Sequence, residues 1–241
     1  MIEMCRSVLF TIVFYLITLF LFIVMLPTLF LPRKKALFFP IFWTRLSNFL
    51  LRVFCGVRIR VEGLENLPQQ SGYIVASKHQ SALETTVFHH LVPNTFYVLK
   101  RELLWVPLAG LYFLKTGCIP IDRKGGASTM RKMMTAVRQR LADGMNLIIF
   151  PEGTRTAPGT KKPYSPGVAF LYEQCQVPVV PVALNSGSCW PKNKMIKHAG
   201  TVTIRFLPPI EPGLPRRAFL DELYRRIEDA QDTLPDPFAG V

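Results

Sequence analysis

The hydrophobic pattern changes character twice along the chain. Residues 7–32, SVLFTIVFYLITLFLFIVMLPTLFLP, form an apolar run without a charged side chain. About 20 apolar residues at a rise of about 1.5 Å cross a hydrocarbon core of about 30 Å, so the run is long enough to span a bilayer. It is too long for a secretory h-region, and no small-residue cleavage site follows it. Pro27 and Pro32 kink or end the helix. Between Arg33 and Val61 there are seven basic residues and no acidic one, with Phe38, Phe39, Phe42, Trp43, Phe49 and Phe54 among them. That mixture suits a helix lying among lipid headgroups; the competing reading is a second core helix. Positive charge after the apolar run places the remainder in the cytoplasm. Two Pro-broken, aromatic segments favour a re-entrant, one-sided insertion over a full span.

From residue 58 the period shortens. RIRVEGLENLP reads as a strand and turn. GYIVAS (72–77), TFYVLK (95–100), NLIIF (146–150), VPVVPVAL (177–184) and TVTIRF (201–206) read as further strands. Helical patterns lie between them. Met130, Met133, Met134, Val137 and Leu141 recur on one face of a helix over 127–143, and Gly144 supplies its stop. Ser165 and Pro166 open a helix over 165–175 as a cap and a first-turn proline. Strands alternating with helices predict an α/β domain with a mixed, mostly parallel sheet flanked by helices. The expected organisation is an N-terminal membrane anchor over 1–57 and a globular domain over 58–241, with a loose tail LPDPFAGV.

Composition narrows the function classes. A formal net charge of +13 over 241 residues calls for an anionic partner, and an apolar fraction of 49% turns that partner from nucleic acid toward a membrane. The basic residues 131, 132, 138 and 140 have no aromatics between them, which argues against a nucleic-acid track. Cys5, Cys55, Cys118, Cys175 and Cys189 stand singly, so neither a zinc site nor a disulfide framework is expected. HExxH, GxSxG and P-loop motifs are missing from the sequence.

Candidate chemistry concentrates at strand ends. KHQSALE places His79 directly after the GYIVAS strand, with Glu84 five residues on. In one continuous helix these two would lie about 140° apart. At a strand-to-helix junction the first turn can bring Glu84 back against the imidazole, fixing its tautomer and freeing the other nitrogen as a base. Taken alone, such a pair is more often structural than catalytic. FPEGTR (150–155) follows the NLIIF strand, where open α/β sheets bind ligands. Gly153 there permits close backbone approach, and Arg155 can grip an oxyanion in two-pronged fashion. In GCIPIDRKGG (117–126), Arg123 is either a second anion ligand or half of a loop-entry ion pair. Lys100 adds a cation at the end of TFYVLK.

Four blocks in order, KHQSALE, GCIPIDR, FPEGTR and VPVVPVAL, resemble those of the glycerolipid acyltransferase family over roughly residues 60–210, and within it the 1-acylglycerol-3-phosphate acyltransferases. The family usually carries Asn before the histidine and Asp at the acid position; Lys78 and Glu84 stand there in this chain. The resemblance implies that His79 is the general base on the free hydroxyl of a lysophospholipid acceptor and that Glu84 orients it. It assigns Lys100, Arg123, Glu152, Gly153, Thr154 and Arg155 to acceptor binding. It implies direct attack on the thioester of acyl carrier protein or coenzyme A, with no metal or further cofactor. The implied setting is a lipid bilayer, the cytoplasmic face of a bacterial inner membrane, with phosphatidic acid as product. A lyso-ornithine or other lysolipid acceptor, a thioesterase, and a non-catalytic binder of anionic lipid are the rival readings.

Overall fold

In the computed structural model, residues 1–122 and 126–239 are described. The chain opens with α1 (Ile2–Val24), a 3-10 turn at Leu26–Phe30, the short α2 (Arg33–Ala36) and α3 (Phe38–Cys55). It continues through β1 (Val57–Glu62), β2 (Ile74–Ser77), α4 (Leu83–Leu91), β3 (Thr95–Lys100), α5 (Ala109–Lys115) and β4 (Ile119–Ile121). Then come α6 (Gly126–Ala142), β5 (Asn146–Ile149), α7 (Pro166–Cys175), β6 (Val179–Leu184), α8 (Ser186–Cys189), β7 (Gly200–Phe206) and α9 (Arg216–Asp232).

The seven strands form one sheet in the order β1-β7-β6-β2-β5-β3-β4, parallel except where β6 meets β7. This is the mixed, mostly parallel sheet that the alternation of strands and helices predicted. β4 was not foreseen: three residues inside GCIPIDR pair with β3 as an edge strand. Helix α9 was not foreseen either. It buries Phe219, Leu223 and Ile227 at a four-residue spacing, and Phe219 stacks on Tyr172 of α7 with ring centroids 3.8 Å apart.

The period-2 pattern of the strands sorts side chains onto two buried faces. Val75, Tyr97, Ile148 and Val182 face α3 and α4, whereas Ile74, Phe96, Leu147 and Val179 face α6, α7 and α9. The crossover from β2 to β3 runs one way along the sheet, and those from β4 to β5 and β5 to β6 run back. Right-handed connections in opposite directions put their helices on opposite faces. The reversal occurs beside β2 and β5, which opens a crevice at their carboxyl ends.

The N-terminal helices rest on the first face. Contacts from Arg6 to Phe54, Phe14 to Trp43 and Phe22 to Phe39 show α1 running antiparallel to α3. Buried Ser7 accepts a hydrogen bond from the Lys197 amide at 2.9 Å, and Phe10 packs edge-on against Trp190. The aromatics of the basic segment divide: Phe39 is buried, while Phe38, Phe42 and Phe49 are exposed. Arg33 also turns inward, donating to Asn94 Oδ1 at 2.5 Å.

Phe219→Ala should destabilise the chain by about 3–5 kcal/mol, the usual cost of emptying a large aromatic site. A denaturant midpoint corresponding to less than about 1 kcal/mol would show that α9 is not part of the cooperative core.

Candidate active site

The turn 78–82 between β2 and α4 carries the first candidate pair. Helix α4 begins only at Leu83, so His79 stands at the strand-to-helix junction and Glu84 in the first helical turn. The Glu84 carboxylate is fully buried and folds back over this turn. Its Oε1 accepts from the Gln80 and Ser81 amides at 2.9 Å each and from the Ser186 hydroxyl; its Oε2 accepts from the Ser81 amide at 3.0 Å. His79 Nδ1 faces Oε2 at 3.7 Å, longer than a hydrogen bond. That nitrogen has no hydrogen-bond partner among the described residues. The imidazole lies flat on Phe150, centroids 3.9 Å apart and planes 17° from parallel. Carboxylate on one edge and phenyl ring on one face together restrict the imidazole's rotation.

The loop after β5 closes over the same turn. Glu152 Oε2 accepts from the His79 amide at 2.9 Å, and its Oε1 from the Thr156 hydroxyl at 2.8 Å. The Thr156 amide donates to the His79 carbonyl at 2.8 Å. Glu152 also meets Lys78 Nζ at 3.0 Å, and the same ammonium meets Glu228 Oε1 of α9 at 2.6 Å. Lys78 is 1% exposed, so this cation lies inside the protein and is satisfied there. The Tyr164 hydroxyl donates to Glu228 Oε1 at 2.9 Å. Burial, reinforced by Glu228, pushes the Tyr164 phenol well above its usual range.

A cleft of about 1190 Å³ opens over these groups. His79 and Phe150 contribute to its floor, and Lys100, Gly153, Thr154, Arg155 and Lys192 to its walls. Among the described residues, no acidic side chain forms an ion pair with Lys100 or Arg155. Gly153 has φ +67°, a conformation costly for a residue with a Cβ, which turns the 150–155 loop back toward the cleft. The lining also carries apolar side chains from both faces of the sheet, Leu99 and Phe113 on one and Val98, Met133, Val168 and Leu171 on the other. Met130, expected in the core stripe of α6, is 37% exposed and lines the cleft. His89, also in the wall, is held down to about pKa 4 by burial and then by His90, so it is neutral near pH 7.

The structure therefore brings His79, Glu84, Lys100, Gly153, Thr154 and Arg155 to one place. Glu152 is turned away from the opening, into the Lys78 and Thr156 contacts. Arg123 lies outside the described residues; its neighbour Asp122 lines the cleft. Sequence reasoning overlooked Phe150, Ser186 and Lys192. Ser186 comes just past the VPVVPVAL block. Lys192 donates to the Arg155 carbonyl at 2.9 Å across 37 residues, a contact no local pattern signals. Among the described residues, no group of three or more His, Cys, Asp or Glu is arranged to hold a metal ion.

A family model described as Acyltransferase matches residues 58–185. A 1-acyl-sn-glycerol-3-phosphate acyltransferase of Pseudomonas aeruginosa is 34% identical over 186 residues, covering 77% of this chain and 72% of that protein. The alpha form of Homo sapiens is 33% identical over 168 residues, covering 69% of this chain and 59% of that one. The crystal structure of the 1-acyl-sn-glycerophosphate acyltransferase PlsC from Thermotoga maritima shares the fold at a TM-score of 0.79 and 22% identity, over 95% of this chain and 97% of that one.

Removing the Lys78 ammonium leaves two buried carboxylates without their cation. Lys78→Met should cost about 3–5 kcal/mol of stability, the usual penalty for half of a buried pair. An unchanged unfolding midpoint would mean that the cluster contributes no ion pairing.

Proposed function

The chain belongs to the acyltransferase family, and from that premise we propose that it transfers a fatty acyl group from an acyl thioester to the free hydroxyl of lysophosphatidic acid, giving phosphatidic acid. The observation that carries this reading is the cleft. A histidine backed by a buried carboxylate lies on its floor, and two cations unpaired among the described residues stand in its walls.

His79 Nδ1 is turned to Glu84, so Nε2 is the nitrogen left for the acceptor hydroxyl. As Nε2 takes the proton, the oxygen attacks the thioester carbonyl and a tetrahedral intermediate forms. Glu84, 3.7 Å away, opposes the positive charge developing on the ring. Collapse breaks the carbon–sulfur bond, the thiolate recovers the proton from His79, and ester and thiol leave. No enzyme nucleophile is needed. Arg155 and Lys100 hold the acceptor phosphate, with the Thr154 hydroxyl beside them. Lys192 braces that loop through the Arg155 carbonyl. The apolar part of the lining takes an acyl chain. The chemistry is the same whether acyl carrier protein or coenzyme A bears the thioester.

We place the chain on a membrane. Helix α1 is 23 residues long, and its most apolar 18-residue window has a mean hydropathy of 2.7 and is 17% buried. Because α1 is fastened along α3 and to the 190–198 segment, its exposed face of Ile12, Leu16, Leu19 and Ile23 fits an orientation flat in one leaflet.

His79→Ala should lower turnover about 10²–10⁴-fold, the usual share of a general base. Thioester consumption measured with and without lysophosphatidic acid tests the reaction class, since equal consumption without acceptor would make the protein a hydrolase. Arg155→Ala should raise the acceptor KM roughly 10- to 100-fold, as expected for a lost charged hydrogen bond of about 1.5–3 kcal/mol. An unchanged KM would remove Arg155 from phosphate binding.

A further inference from the structure

Segment 101–115 offers a surface that neither the core nor the cleft uses. A 3-10 turn at Arg101–Trp105 folds back on α5 so tightly that a Cβ on Gly110 would lie 2.0 Å from the Leu104 carbonyl oxygen. Leu108, between them, holds φ +63°, unusual for a branched side chain. This knuckle turns apolar side chains outward: Trp105 is 81% exposed, Leu111 51% and Leu114 52%. Its inner side is fixed, with Tyr112 packed on Phe39 at 4.6 Å and on Phe22 at 5.2 Å. The knuckle is thereby joined to the end of α1 and the start of α3, where Phe30, Phe38 and Phe42 are exposed. Lys34, Lys35 and Arg101 are exposed nearby, and Glu102 is the exposed acid in the turn. Lys100, Leu103 and Phe113, on and beside the same segment, line the cleft.

We propose that this knuckle is a membrane-docking lip. Trp105, Leu111 and Leu114 enter the interfacial layer of an anionic bilayer, and the cleft mouth is held against the leaflet from which the acceptor lipid enters. Three observations select a bilayer as the occupant. The exposed groups are large and apolar, with a tryptophan at the tip, the side chain that prefers the headgroup boundary. The surrounding charge is mostly basic, complementary to anionic headgroups. The patch continues the exposed apolar side of α1 and α3. The role in acceptor entry rests on the function proposed above; the docking itself does not.

The experiment uses the full chain with phosphatidylglycerol-containing vesicles whose acyl chains are brominated near the headgroup. Trp105→Phe identifies the contribution of Trp105 to the tryptophan emission. Quenching of that contribution is expected. If it is untouched by brominated lipid, or is shielded by acyl carrier protein alone without vesicles, docking on lipid is overturned. In parallel, Leu111→Ser/Leu114→Ser should lower transfer to long-chain lysophosphatidic acid in vesicles by at least roughly tenfold, given two exposed leucines removed from the interface. Transfer to a short-chain, water-soluble acceptor should stay at the wild-type rate. Equal loss on both acceptors would overturn the entry role. Quenched Trp105 in a wild-type protein that acylates neither acceptor would uphold docking and reject the proposed reaction instead.

Discussion

One buried ammonium ties the functional end of this molecule together. Lys78 sits at the end of β2 and reaches Glu152 in the loop after β5 and Glu228 in α9. Those partners are 74 and 150 residues away in sequence. Charges out of water are tolerated only when paired and further hydrogen-bonded. Here the Thr156 and Tyr164 hydroxyls and the His79 amide add hydrogen bonds to the cluster, while Glu228 Oε2 is left without a partner among the described residues. The arrangement is directional in a way that apolar packing is not. Glu152 can satisfy Lys78 and the His79 amide together only if the 150–156 loop lies directly over the 78–82 turn. The C-terminal helix thus acts on the cleft through charge, although it contributes no side chain to it.

The Glu84 carboxylate organises the turn around it while facing the imidazole. Its donors come from the Gln80 and Ser81 amides and from Ser186, so it organises the turn that presents His79 and ties that turn to the loop after β6. The extra methylene relative to the family's usual aspartate lets it reach these donors from the first turn of α4 while Oε2 stays beside the imidazole. The separation of 3.7 Å sets carboxylate and imidazole side by side without a closed hydrogen bond.

The N-terminal region answers to two surfaces. Phe10, Phe39, Leu50 and Leu51 belong to the hydrophobic core, yet the other sides of the same helices expose Leu16, Phe20, Phe42 and Phe49. A long apolar segment can therefore be part of the globular packing and still present an apolar exterior. Helix α3 likewise buries Leu50 and Leu51 on one side and exposes Phe42 and Phe49 on the other.

The sequence by itself determined the fold class, because period-2 runs separated by helical stripes leave few ways to bury both sheet faces. It also determined the local pairing of His79 with Glu84, since a strand end and one helical turn suffice to bring them together, and it marked Lys100 and Arg155 as cations at strand ends. The three-residue β4 was too short to show a period, and α9 was hidden among charges that its one buried stripe outweighs. Only the tertiary structure decided that Lys78 points inward to two carboxylates, that Glu152 faces the protein while Arg155 faces the cleft, and that Ser186 and Lys192 complete the site. Those contacts join segments 37 to 150 residues apart. Their geometry follows from the direction and handedness of the crossovers, which no local pattern of side chains encodes.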